Sequence, residues 1–515
     1  MKEERSATPK SNNSYGRIML LLVVISTLSK LFGFARDIIL TNVYGAGIIS
    51  DAYLTTLSIP DMFLDLFANT AMMGFVPLAI EKLNKSKSDL DKFTTSALKV
   101  LLTLAVIFTA LLALFPDFII GLLAPGFEGE QQRLAISFLR IMSITVLFRS
   151  ITSIFQSYLS TAKYFLPAAF LGITLDISVI AAIFLSKRFD LAYLLPLGVV
   201  IGTLLQTLWL LPFALKKGFK TRRRSPVFSR DVKNLLLMSI PAILSVGLLQ
   251  ISTLFNKTLA SEIGGGAITM LNHSGKISFF VENIIVSSIA TVLYPLLAEY
   301  HINGQKQMLR DVLGDAVDKL ITFLLPASVG LAMLAEPIID LLFGHGEFTA
   351  ENVRVTAILM MLQVIGIVGI AVQTLLTRAL FSMKKIKLSV VISLSLLVVF
   401  LGCSFGLSRI WDIYGIALAT GLSYTVGGLT YYIVLNKVCG GIHAKATGLT
   451  LLKSAGASAV MALAVFLITE FSPLPATVNL ILSVGVGVVL YFALAQLLRL
   501  KHASLKPILK RLIRK

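Results

Sequence analysis

Long apolar stretches separated by short polar connections govern the chain. Fourteen of them run over about 17–40, 50–80, 93–120, 132–161, 165–186, 190–215, 232–257, 265–298, 311–341, 352–381, 386–407, 412–437, 449–470 and 475–498. Each is of the order of the roughly 20 apolar residues that carry a helix across a bilayer. In hydrocarbon every backbone N–H and C=O must be satisfied within the protein, which leaves only helices or a closed barrel. The short alternating strands of a membrane barrel are absent. The pattern therefore predicts an all-α polytopic membrane protein of about 14 transmembrane helices. Lys187 and Arg188 divide 165–215 into two spans.

Composition agrees. Of 515 residues, 56% are hydrophobic and 14% charged, with a mean hydropathy of +0.85. A soluble protein carries about 25% charged residues, so an ordinary cytosolic enzyme is excluded. Cys403 and Cys439 lie in or beside apolar runs and imply no disulfide framework. The first 16 residues are polar, and the first apolar run contains Arg36 and Asp37, unlike a cleavable signal peptide.

The net charge of +19 reports topology. Lys2, Arg5, Lys10 and Arg17 precede or open the first segment, and Lys82, Lys85, Lys87 and Lys92 follow the second. Eight cations from Lys216 to Lys233 follow the sixth; Lys384, Lys385 and Lys387 follow the tenth. The C-terminal tail adds Lys501, Lys506, Lys510, Arg511, Arg514 and Lys515. The alternate connections at 41–49 and 471–474 hold no Lys or Arg. Excess Lys and Arg mark the cytoplasmic side, so both termini are expected there. The basic loops are expected to meet anionic lipids rather than nucleic acid.

An internal repeat is visible. Phe75-Val76-Pro77-Leu78 matches Leu293-Tyr294-Pro295-Leu296, Pro116 to Leu123 matches Pro337 to Leu342, and Gln156-Ser157-Tyr158-Leu159 matches Gln373-Thr374-Leu375-Leu376. The offsets are 218, 221 and 217 residues, each spanning six segments. An even number gives both copies one orientation, a parallel repeat about the membrane normal. The expected domains are a 1–16 tail, an N-lobe at 17–215, a basic linker at 216–231, a C-lobe at 232–437, two added helices at 449–498 and a 499–515 tail. Paired six-helix lobes around a central cavity are a transporter architecture.

Charges inside spans are costly and mark function by default. The first two segments hold Lys30, Arg36, Asp37, Asp51, Asp61 and Asp65. Arg36 follows Gly33-Phe34-Ala35, where a small residue admits a close neighbour. Asp51 and Asp65 are 14 residues apart, nearly four turns, and share a helical face. In the second copy, Lys276 precedes Glu282 by six residues. Arg140, Arg149, Lys257, Arg378 and Lys453 are single charges in or near spans. Cations at membrane depth suit an anionic substrate, and Arg offers phosphate a planar fork. Local ion pairing, capping by Asp51, and snorkelling of Lys257 or Arg378 are the competing structural roles.

No Gly-rich phosphate loop ends in Gly-Lys-Ser/Thr, no two histidines stand at metal-ligand spacing, and no serine sits in a nucleophile elbow. Gly264-Gly265-Gly266 reads as a turn. Transport is expected to draw on a gradient, the membrane potential or a monovalent cation, with no cofactor and no metal.

Ser29-Lys30-Leu31-Phe32-Gly33-Phe34-Ala35-Arg36-Asp37, Tyr44-Gly45-Ala46-Gly47, Ser50-Asp51-Ala52-Tyr53, Ile59-Pro60 and Phe75-Val76-Pro77 resemble the opening of the MurJ (MviN) family, within the multidrug/oligosaccharidyl-lipid/polysaccharide exporter superfamily. Ala124-Pro125-Gly126-Phe127 and Gly346-Glu347-Phe348-Thr349 are further family-like pieces. The resemblance covers roughly 17–440. It implies a bacterial inner-membrane flippase for lipid II, the undecaprenyl-diphosphate-linked peptidoglycan precursor, working by alternating access. It further implies cell-wall synthesis proteins as partners and a chain that can act as a monomer. It maps central-cavity positions onto Arg36 and Asp51; the candidate headgroup site read from this sequence adds Ser29, Lys30, Asp61 and Lys276, with Asp37, Asp65 and Glu282 as supporting ion pairs. The chain departs from the family at Asp61 and Leu64, where many members have Asn and then Arg, at Asn69-Thr70, and at Lys276, which stands where Arg is frequent. The alternatives are an exporter of another polyprenyl-diphosphate-linked repeat unit or a drug antiporter of the superfamily. These commonly have 12 helices, against which the pair at 449–498 argues. A non-transporting scaffold would have no need of Arg36, Asp51 and Lys276 at membrane depth.

The charge distribution makes a direct prediction. With Cys403 and Cys439 replaced, single cysteines at 45–47 or 345–347 should react with an impermeant thiol reagent added outside, and cysteines at 221–224 should not. Labelling in the opposite sense would invert the orientation.

Overall fold

The computed structural model describes residues 12–222, 225–442 and 444–502. The tail cations Lys2, Arg5 and Lys10, the linker's Arg223 and Arg224, and the terminal cations from Lys506 onward lie outside the described residues. Among the described residues there is no strand. Every predicted apolar segment falls on helix: α1 (Asn12–Tyr44), α2 (Ile48–Phe63), α3 (Thr70–Lys85), α4 (Lys87–Leu114), α5 (Pro116–Leu123), α6 (Gly129–Met142), α7 (Thr145–Thr161), α8 (Leu166–Ala169), α9 (Leu171–Phe189), α10 (Leu194–Lys216), α11 (Arg230–Ser261), α12 (Ala267–Ile302), α13 (Lys306–Met333), α14 (Ala335–Phe343), α15 (Ala350–Val364), α16 (Ile367–Ser382), α17 (Ile386–Cys439), α18 (Ala444–Phe471) and α19 (Ala476–Leu497). A π-helical stretch, Leu64–Asn69, joins α2 to α3.

Among the described residues, eight helical stretches are long and apolar enough to cross a membrane, nine if α15 and α16, bent by 47°, form one broken span. One of the eight, α17, is 54 residues long, or about 80 Å at 1.5 Å per residue. That far exceeds a hydrocarbon core of about 30 Å. The helix breaks at Trp411 and Asp412, whose φ values are −129° and 47°, and the chain turns back on itself there. Tyr431 bonds Ser389 and Ser393 at 3.1 and 2.8 Å. Gly427 faces Leu396, and Gly415 lies against the Leu407 carbonyl. The predicted spans 386–407 and 412–437 are thus antiparallel halves of one helical hairpin.

The chain divides into two compact units, Met1–Gly247 and Leu248–Lys515. The repeat read from sequence has local counterparts in each. The long α4 bends at Phe115 into the short α5, as α13 bends at Leu334 into α14. Lys163 and Lys384 both take positive φ, 56° and 57°, and close α7 and α16. In each case the next residue bonds back five positions: Tyr164 N–H to Leu159 O at 2.9 Å and Lys385 N–H to Leu380 O at 2.8 Å. This is the helix-closing pattern usually left to glycine. The Gly264–Gly266 turn is present between α11 and α12, with φ of 138° and 91° at its ends.

Apolar packing organises each unit. Phe75, Phe93, Phe155, Tyr158 and Phe219 centre one core in the first. In the second, Leu334, Met461, Val465 and Tyr491 join α13 to the added helices α18 and α19. Buried Tyr491 donates to the Thr322 carbonyl at 2.6 Å and bonds Ser454 Oγ at 2.8 Å, tying three helices through one hydroxyl. Where lipid tails compete with apolar side chains, close backbone approach between small residues supplies much of the attraction. Such a seam joins α15–α16 to the second half of α17. A Cβ on Gly366 would lie 2.7 Å from Gly421 O, and one on Gly428 would lie 2.6 Å from Gly369 O.

Gly428→Leu should therefore lower thermal stability, by the about 1–3 kcal/mol typical of overpacking or more. Gly402→Leu, which meets nothing within 4 Å, should be close to neutral. Equal melting of the two variants would show that the seam tolerates separation.

Candidate functional site: two polar cavities and an apolar groove

The first unit encloses a cavity of about 390 Å³, lined by Arg36 of α1, Tyr53, Leu57 and Asp61 of α2, Leu64 and Asp65 of the π-helical stretch, Arg149, Thr152, Ser153 and Gln156 of α7, and Leu171, Leu175, Val179, Val199 and Gln206. Its charges come in pairs. Arg36 Nη1 donates to Asp176 Oδ1 at 2.9 Å, and Nη2 donates to Asp37 Oδ1 at 3.1 Å. Arg149 pairs with Asp61. Arg36, Asp37 and Asp176 side chains are 17%, 6% and 7% exposed, so the guanidinium is held on two edges and largely shielded from solvent. An unpaired charge there would cost several kcal/mol, as the rough scale for breaking a buried pair is 3–5 kcal/mol.

Helix packing explains how Asp176 reaches Arg36 across 140 residues. α1 packs on α9, and a Cβ on Gly33 would lie 3.3 Å from Asp176 Oδ2. The small residue expected to admit a neighbour admits this carboxylate. Ser29 packs against Gly172 on the same helix pair, its hydroxyl filling the place of a Cβ. Two donors at the cavity wall are buried without a hydrogen-bond partner among the described residues: the Tyr53 hydroxyl and Arg149 Nε. Buried donors are nearly always satisfied in native proteins, so both favour a ligand or water carrying acceptor oxygens.

The structure sorts the predicted site residues. Arg36, Asp61 and Asp65 line the cavity, and Asp37 supports Arg36. Asp51 is fully buried in the first turn of α2 and is not among the lining residues, although Asp65 is. The face shared on helical spacing is not kept: Pro60 lies inside α2, and the π-helical stretch begins at Leu64. Lys30 is exposed and also outside the lining. Leu64, where the family frequently has Arg, is a lining position. Asp176, missed in the sequence, has no signal there beyond being a carboxylate in an apolar run; its partner lies on a helix far away in the chain.

The second unit has its own polar cavity, of about 220 Å³. Lys257, Lys276, Thr253, Asn256, Asn272, Gln363, Thr420 and Tyr424 supply its polar lining, with no carboxylate among the lining residues. Asn256 Nδ2 donates to Thr420 Oγ1 at 3.0 Å. The two lysines give it positive character, whereas two arginines and two aspartates balance in the first cavity. Glu282 is buried outside this lining, and the charge acting on it is that of Arg378. Arg378 stands on α16, so a charge felt by Glu282 comes from another helix. An apolar groove of about 300 Å³ lies between α12, α13, α18 and α19, walled by Phe323, Leu331, Leu334, Met461, Val484 and Phe492 among others. Among the described residues, no group of three or more His, Cys, Asp or Glu could hold a metal ion.

Comparison with known proteins places these features. The family model described as "Lipid II flippase MurJ" matches residues 40–486. A probable lipid II flippase MurJ of Buchnera aphidicola subsp. Acyrthosiphon pisum is 30% identical over 382 residues, covering 73% of this chain and 75% of that protein. One from Thermotoga maritima is 29% identical over 498 residues, covering 94% and 96%. Among solved structures, a lipid II flippase MurJ in an inward closed conformation superposes with a TM-score of 0.81 at 22% identity, over 93% of this chain and 98% of that one. An inward-facing multidrug transporter of the MATE family, in the MOP superfamily, gives 0.70 at 13%, over 82% and 98%. The structural matches show a shared fold, and the family model spans most of the residues that line both polar cavities and the apolar groove, Arg36 and the end of α19 lying just outside it: the chain belongs to the lipid II flippase MurJ family.

Proposed function

We propose that this protein moves lipid II from the cytoplasmic to the outer leaflet of the bacterial cytoplasmic membrane by alternating access, through fourteen crossings with both termini cytoplasmic. The match to the lipid II flippase family from residue 40 to 486 carries this reading. The physical problem is a hydrated, anionic headgroup that hydrocarbon cannot accept unpaired. The cavity holding Lys257 and Lys276, with no carboxylate in its lining, supports a role in meeting diphosphate. In the first unit, Tyr53 and Arg149 Nε offer donors to the same kind of ligand.

Arg36 is assigned a more conditional part than a free chelator. Its fork already holds two carboxylates, so an arriving phosphate must share it with them or displace one. Exchange of one anionic acceptor for another keeps the guanidinium satisfied throughout, where simple release would strand a buried charge. The apolar groove of α12, α13, α18 and α19 suits a polyprenyl tail, whose burial along the protein needs no hydrogen bonds. The membrane potential or a monovalent cation gradient is proposed as the energy source.

The decisive experiment is complementation of a strain depleted of its own lipid II flippase. Growth and appearance of lipid II headgroups at the outer leaflet are expected. Failure at normal membrane abundance, in a strain rescued by a known flippase, would overturn the reading.

Within that assay Lys276→Arg should retain flipping, and Lys276→Ala should reduce it about tenfold or more, the scale of one charge-assisted hydrogen bond. Full activity of the alanine variant would remove Lys276 from the headgroup path. Arg36→Lys should be impaired at equal abundance, because one ammonium does not reproduce a planar fork spanning two acceptors. Wild-type activity of that variant would reduce Arg36 to a replaceable point charge.

A further inference from the structure

A third cavity, in the second unit, belongs to none of the features above. It measures about 480 Å³ and is walled by Lys306, Arg310, Lys385 and Lys437, with Tyr300 and His301 beside them and no carboxylate in the lining. Three chain reversals build it: the turn between α12 and α13, the turn between α16 and α17, and the end of α17. Positive φ at Gly304, Lys384 and Gly440 makes these reversals. All three fall on the side that the Lys and Arg distribution assigns to the cytoplasm.

Four cations around one space repel each other, and a protein ordinarily relieves this with acidic neighbours. Here the wall stays basic. Arg310 is also fixed in place: its Nε donates to the Cys439 carbonyl. Its guanidinium lies against Gly440, where a Cβ would collide with Nη2. With Nε committed, the terminal amino groups remain as the fork that suits phosphate oxygens. The volume falls within the about 300–1,000 Å³ of small-ligand sites. The flanking helix ends are apolar and exposed, Ile302 at 78%, Met308 at 51% and Ile386 at 37%. A soluble phosphate ligand gives such residues no cover, whereas a lipid brings acyl chains with its phosphate.

We propose that this basic cavity binds the phosphate headgroup of an anionic phospholipid in the cytoplasmic leaflet, with Arg310 as the oriented anchor and Lys306, Lys385 and Lys437 closing around it. The site is independent of what the protein transports.

The test uses the full-length protein in neutral detergent, with native mass spectrometry counting bound phosphatidylglycerol, phosphatidylcholine or inorganic phosphate. Lys385 and Lys437 are exposed, so Lys385→Gln/Lys437→Gln keeps the Arg310 anchor and the fold. Neutralising a lysine at a lipid headgroup weakens binding about fivefold, so the pair should weaken the tightest phosphatidylglycerol site about 25-fold, and Lys437→Gln alone about fivefold. Lys216→Gln/Lys220→Gln, an equal loss of exposed charge in the first unit, should leave that site unchanged. Equal weakening by both doubles would reduce the effect to general surface charge and overturn the proposal. So would phosphatidylcholine binding as tightly as phosphatidylglycerol. Inorganic phosphate bound as tightly as the lipid would assign the cavity to a free anion instead.

Discussion

A hydrocarbon solvent offers neither hydrogen bonds nor charge screening, and this constraint governs the protein at every scale. For the backbone it leaves helices as the available form, and among the described residues the chain is helical throughout its apolar segments. For charged side chains it demands partners. Arg36 stands in the first helix with carboxylates from Asp37 and Asp176 on two edges, and Arg149 stands against Asp61. These pairs add little net stability, because desolvation offsets most of their attraction. Breaking one is costly, and that cost fixes which helices must stay adjacent: α1 with α9, and α2 with α7.

Pairing and function pull in opposite directions in the first unit. A cation matched by carboxylates has less attraction left for an arriving anion, yet a buried cation with no partner would not be tolerated. The structure divides the problem. The first cavity holds matched pairs with two buried donors, Tyr53 and Arg149 Nε, still open among the described residues. The second holds Lys257 and Lys276 among amides and hydroxyls, without a lining carboxylate. The two units thus carry cavities of distinct electrostatic character.

Packing follows from the same solvent. Since apolar side chains gain little by leaving lipid for protein, the helices associate through close fits and shared hydroxyls. The glycine seam between α15–α16 and α17 is one such fit, and the Tyr491 link from α19 to α18 and α13 is another. The added C-terminal helices are anchored by that tyrosine, and in being anchored they complete the wall of the apolar groove.

The sequence by itself determined the helical class, the positions of the apolar segments, the turn at Gly264–Gly266 and the repeat, because each is written in neighbouring residues or in one regular offset. The family was legible in the string from Ser29 to Asp37 and in the motifs that follow. Arg36 was legible as a charge in a span. Its second carboxylate was not, since nothing local ties position 36 to Asp176; only the packing of α1 on α9, made close by Gly33, brings them together. Tertiary structure likewise separated Asp65, which lines the cavity, from Asp51, which is buried away from it, because a proline and a π-helical stretch alter the regular spacing that placed them on one face. It set the charge of Arg378, on α16, beside Glu282 of α12. Periodicity reads one helix at a time, whereas electrostatic pairing in a low-dielectric bundle is decided between helices.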